Sequence, residues 1–95
     1  MKLPLRFDMT TTRAEFRRLL PAAVDQVPFV EDDGAFVHGD GARGWRIALD
    51  PLPQLQIGLI RLERQRVDFD FTGYSEQEIN DFMARFEMYF RRGGG

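Results

Sequence analysis

Leu3, Leu5, Phe7 and Met9 alternate with Pro4, Arg6 and Asp8, a period of two that predicts a strand with one buried face. Pro4 places that strand at a sheet edge or at its own beginning. From Thr12 the period lengthens. Phe16, Leu19, Leu20, Ala23 and Val27 recur at helical spacing behind Thr12-Arg13-Ala14-Glu15, a capping box, while Arg13, Arg17 and Arg18 face outward. Pro21 cannot donate to the carbonyl of Arg17 and biases Leu20 away from helical angles. The apolar face stays in phase across it, so two helical pieces hugging one surface are expected.

Short runs cut by turn residues follow. Phe29-Val30 precedes a turn signal at Asp32-Asp33-Gly34, Ala35 to His38 reads as a short strand, and Gly39 to Gly44 as a loop. Trp45, Ile47 and Leu49 alternate with Arg46 and Ala48 in a strand that Pro51 and Pro53 should end. Leu55, Ile57 and Leu59 share one parity, Ile60 and Leu62 the other. That slip beside Gly58 predicts a β-bulge, and Arg64-Gln65 the next turn. Val67, Phe69 and Phe71 then alternate with Asp68, Asp70 and Thr72. A second capping box, Ser75-Glu76-Gln77-Glu78, opens a helix with Ile79, Phe82, Met83, Phe86 and Phe90 on one stripe and Tyr89 at its margin. Gly93 should end it, leaving residues 93–95 as a glycine tail.

The order β-α-β-β-β-β-α implies an α+β fold in one domain over residues 1–92. A single antiparallel sheet of four to five strands carries a kinked N-terminal helix and a long C-terminal helix on one face. Its other face meets water or a partner. This order resembles a shortened helix-grip fold, the START or Bet v 1-like architecture, over most of the chain, although the chain has fewer strands than a complete grip. The resemblance implies a cavity for a small apolar ligand between the long helix and the sheet.

Composition narrows the chemistry. The chain has one histidine (His38), one serine (Ser75), one lysine (Lys2) and no cysteine, so most nucleophile, general-base and transition-metal constellations lack their side chains. The net charge of −2 offers no field for nucleic acid. All but one of the cationic residues are arginine, a skew that GC-rich coding produces and that fits a bacterial source. The lack of cysteine, of a signal-like start and of a membrane-length apolar run suggests a cytoplasmic protein outside the membrane.

Several local patterns invite a function, and each has a plainer account. Gly39-Asp40-Gly41-Ala42-Arg43-Gly44 spells a phosphate-loop motif but leads into a strand rather than a helix, the context of a hairpin loop. Asp68 and Asp70 on one strand face could hold a cation, yet no third ligand is near in sequence. Arg61, Arg64 and Arg66 cluster around the expected turn, with Glu63 among them, and could form an anion or RNA-phosphate patch, although a charged hairpin tip is more often simply solvated. His38 could titrate near neutral pH but lacks a neighbouring nucleophile. The terminal glycines echo ubiquitin-like carriers, but they follow a helix rather than a strand. Trp45, Tyr74 and Tyr89, with Arg61, Arg64 and Arg66, are the candidate interaction or ligand surface. The expectation is a non-enzymatic protein-interaction module, binding itself or another protein, with neither cofactor nor metal. The alternative is a binder of a small apolar ligand.

Overall fold

The computed structural model describes residues 5–94, with side chains from 5 to 90. Five strands and two helices follow in the expected order: β1 (Leu5–Thr10), α1 (Arg13–Ala23), β2 (Val30–Asp32), β3 (Ala35–Gly39), β4 (Gly44–Ile57), β5 (Ile60–Thr72) and α2 (Glu76–Gly94). The strands form one antiparallel sheet in the order β1-β5-β4-β3-β2. The fold is therefore α+β.

Cross-strand partners put side chains on a common face. Leu5 opposite Phe69, Leu49 opposite Val67 and Phe36 opposite Ile47 accordingly build one apolar layer. Both helices pack on it. Phe16 of α1 lies 5.6 Å from Phe36 and 4.8 Å from Phe90, ring centre to ring centre. Phe86 of α2 stands edge-on to Phe69 at 4.9 Å and stacks on Phe90 at 4.3 Å. Such ring pairs add to the area they bury. The phenylalanines of α2 thus fill the helix–sheet interface.

Polar ties fix the helices on this layer. Thr12 caps α1 by accepting from the Glu15 amide at 3.0 Å. Ser75 and Glu78 cap α2 reciprocally: the Glu78 amide donates to Ser75 Oγ at 3.1 Å, and the Ser75 amide to Glu78 Oε1 at 2.8 Å. Arg13 does not simply face outward, since its Nη2 donates to the Leu49 carbonyl at 3.1 Å. Arg17 grips Glu31 of β2 with two bonds of 2.9 and 2.8 Å. Arg85 of α2 donates twice to the Ala22 carbonyl at the end of α1.

Five expectations about boundaries are corrected. Pro21 falls in the last turn of a single short helix, where its missing N–H costs one bond, and no second helical piece forms. The chain instead reverses through Asp25 and Gln26, at φ 59° and 61°. Pro51 and Pro53 do not end β4. They lie beyond its pairing with β3, which stops at Ala35 opposite Ala48, so one edge of β4 there has no ladder for proline to interrupt. The bulge falls between Leu52 and Leu55, not beside Gly58; Gly58-Leu59 is itself the turn, between Ile57 and Ile60, and Arg64-Gln65 lies inside β5. Lastly, α2 runs through Gly93 to Gly94, because glycine weakens a helix by about 1 kcal/mol relative to alanine without forbidding it. Gly95 and the strand residues Leu3 and Pro4 lie outside the described residues.

Candidate functional site

The two longest strands are β4, of 14 residues, and β5, of 13. At ~3.3 Å per residue such a hairpin spans roughly 45 Å. The molecule measures 47 × 26 × 25 Å, so this hairpin sets its long axis. Flanking strands cover only its base: β1 stops at Thr10 opposite Arg64, and β3 at Ala35 opposite Ala48. Past Arg64 the hairpin runs on as a two-stranded arm for roughly 15 Å.

The bulge decides what the arm displays. Up to Leu52 the odd residues of β4 (Trp45, Ile47, Leu49) face the helices. Between Leu52 and Leu55 the strand takes in one residue more than β5 does, and its parity flips. Leu55 now opposes Leu62, and Ile57 opposes Ile60. These four side chains and Leu52 therefore share the face turned away from the helices, while Gln56, Arg61 and Glu63 take the opposite one. Leu59 crowns the turn. Leu55 is 41%, Ile57 59%, Leu59 101% and Ile60 60% exposed. Scattered surface leucines need no explanation, but here the exposed aliphatic side chains are contiguous on one face of a projecting element. The slip in the sequence, from Ile57 to Ile60, is the two-residue turn, whereas the flip at the bulge leaves no mark there, since Leu55 and Ile57 keep the odd parity of Trp45, Ile47 and Leu49.

The rest of the open sheet face is built differently. Arg6 lies opposite Asp68 and hydrogen-bonds it, Asp8 lies opposite Arg66, and Arg46 lies opposite Asp70. Charges of opposite sign thus alternate across neighbouring strands, and Arg6–Asp68 and Arg66–Asp8 come within ion-pair reach of each other. A shallow depression of about 400 Å³ opens here among Arg6, Arg46, Asp50, Asp68 and Asp70. Asp68 and Asp70 do share the outward face, but Asp68 is engaged by Arg6. No cluster of three acidic or histidine side chains fit for a metal occurs among the described residues.

The surface expected of Trp45, Tyr74, Tyr89 and the three arginines does not assemble in one place. Trp45 is buried among Phe29, His38 and Phe82. Tyr74 lies beneath the Arg43 guanidinium, 4.0 Å from its ring centre, and Tyr89 beside Arg85 near the end of α1. Arg64 and Arg66 pair with Asp8 on the open face at 3.7 and 3.6 Å, and Arg61 stands alone of the three on the arm. Arg66 Nε is buried at that distance, within ion-pair reach of Asp8 but beyond hydrogen-bond reach.

The other singled-out residues take structural posts. His38 packs on Trp45, with Nδ1 2.5 Å from the Pro28 carbonyl, an acceptor only, so this nitrogen carries the proton. In the glycine-rich loop, Asp40 accepts from the amides of Ala42 and Arg43 at 2.8 and 3.1 Å, and these bonds hold its carboxyl below the ordinary aspartate range. A Cβ on Gly39 would strike the Arg43 carbonyl, and one on Gly44 the His38 carbonyl. These two glycines let the hairpin backbones meet. The carboxylate already occupies the loop amides that a phosphate would need.

A second apolar feature lies at the free edge of β1. Phe7, Met9, Met83, Phe86 and Phe90 line an open groove of about 230 Å³, rimmed by Asp8 and Glu87. Among the described residues no helix is long and apolar enough to cross a membrane. No family model matches this chain, and no curated protein or solved structure matches it either.

Proposed function

We propose that this chain is a non-enzymatic protein-interaction module whose contact element is the β4–β5 arm. The observation that carries the reading is the aliphatic face of Leu52, Leu55, Ile57, Ile60 and Leu62, projected past every flanking strand. A two-stranded hairpin by itself is marginal in water. An arm that keeps such a face in solvent gains stability when a partner surface covers it. The partner is a protein surface of matching aliphatic character. The cysteine-free composition favours a reducing, cytoplasmic setting.

The edge groove supports a second reading, a small apolar ligand held between β1 and α2. Its volume of about 230 Å³ is below the ~300–1,000 Å³ of typical ligand pockets, and phenylalanine rings fill the helix–sheet interface beside it. The interaction reading therefore leads.

A photoreactive benzoylphenylalanine at position 59, expressed in the source cells, tests it. The expected result is a covalent adduct with a protein, lost when Ile57→Asp and Ile60→Asp are added. No protein adduct at position 59 would overturn the reading.

A further inference from the structure

We infer that the partner of the arm is a second copy of this chain, the two arms packing aliphatic face on aliphatic face across a two-fold axis. This inference rests on the interaction reading above and names its partner.

A two-fold contact uses one patch twice, so the patch must tolerate its own image. The arm face does. Leu52, Leu55, Ile57, Ile60 and Leu62 bring no charge to it, whereas Gln56, Arg61 and Glu63 lie on the reverse. The net charge of −2 leaves little repulsion between copies.

The area is of the right order. Leu55, Ile57, Leu59 and Ile60 together expose more than the full surface of two aliphatic residues, a patch of a few hundred Å². Two such patches, with the half-buried Leu52 and Leu62 and the flanking backbone, approach the ~1,000 Å² total at which specific interfaces begin. That size predicts a modest, concentration-dependent dimer rather than an obligate one.

The edges of the arm point the same way. Pro51 and Pro53 lack amide donors, and the bulge beside them bends the β4 edge, two devices that discourage an added strand. On the β5 side, Arg61 and Glu63 flank the free edge. An extended peptide joining the sheet is therefore disfavoured, and the uncovered apolar surface is the face. With the arms antiparallel, Leu59 at the tip of one copy reaches the Leu52 end of the other.

Sedimentation of the purified full chain over a wide concentration range tests this. The weight-average mass should rise from 11.0 kDa toward twice that value. Ile57→Asp with Ile60→Asp should weaken dimerisation at least about tenfold. So should Leu59→Asp, at a position so exposed that the fold cannot depend on it. Met88→Asp, on an exposed position of α2, should leave the dimer intact. A wild-type chain that stays monomeric throughout would overturn the inference. So would a dimer that the arm variants leave unchanged. The photoadduct separates the two levels: a mass of twice the chain supports the copy, another mass keeps the arm as a contact element but rejects the copy, and no adduct rejects both.

Discussion

At the scale of single residues, the polar side chains of this molecule mostly serve to hold secondary structure. Glu78 shows it best. Its carboxylate receives the Arg43 guanidinium in two bonds of 3.2 and 2.9 Å and the Ser75 amide in another. Arg43 first, and the Ser75 amide second, hold this carboxyl below its ordinary value of 4.5. A depressed acid favours the folded state wherever it is ionised, so its contribution is present above the unfolded value and is lost as the pH falls through the folded one. Glu78→Gln keeps a side chain able to complete the capping box and removes only the charge. Urea denaturation should find the wild type more stable than this variant at pH 7. The difference should shrink as the pH drops below 4.5 and vanish once the acid is protonated in both states. A difference that ignores pH would mean that the Arg43 contact contributes nothing through charge.

At the scale of elements, what was legible in the chain is what periodicity alone determines. The parity of Val67, Phe69 and Phe71 and the stripe from Ile79 to Phe90 fix which side of β5 and α2 is buried, and the capping residues Thr12 and Ser75 fix where both helices begin. Boundaries set by tertiary context were not legible. Pro51 reads as a stop only if β4 has ladders on both sides, and strand order, which sequence does not disclose, leaves one side free. The turn at Gly58-Leu59 escaped because Leu59 is not a turn residue by type. The arm was hidden for the same reason, because seeing it needs the cross-strand register. The glycine-rich loop shows how to separate a motif from its use. Gly39 and Gly44 sit where a Cβ meets backbone, but nothing lies within 4 Å of a Cβ on Gly41. Gly39→Ala and Gly44→Ala should each destabilise the domain by about 1–3 kcal/mol, and Gly41→Ala by less than ~0.5 kcal/mol, in thermal or urea unfolding. A Gly41 variant as damaging as the other two would point to a role that hairpin geometry does not supply.

At the scale of the whole molecule, the core and the arm divide the sequence between them. Every side chain of the central cluster lies in α1, α2, the segment after α1, or the parts of β3, β4 and β5 outside residues 53–63. Folding and contact are therefore separable. Asn-Gly in place of residues 53–63 would join Leu52 to Arg64 through a two-residue turn, as Gly58-Leu59 joins Ile57 to Ile60, since both pairs face each other across the same ladder. The shortened chain should unfold cooperatively with a stability within about 1 kcal/mol of the parent, because it gives up little buried surface. Its longest dimension in small-angle scattering should fall by roughly 15 Å, the length of the removed overhang at ~3.3 Å per residue. It should also sediment as a monomer at every concentration. Loss of cooperative unfolding would show that the arm belongs to the folding unit. A shortened chain that still dimerised would place the contact on the charged sheet face or the β1 edge, because the aliphatic face would no longer exist to provide it.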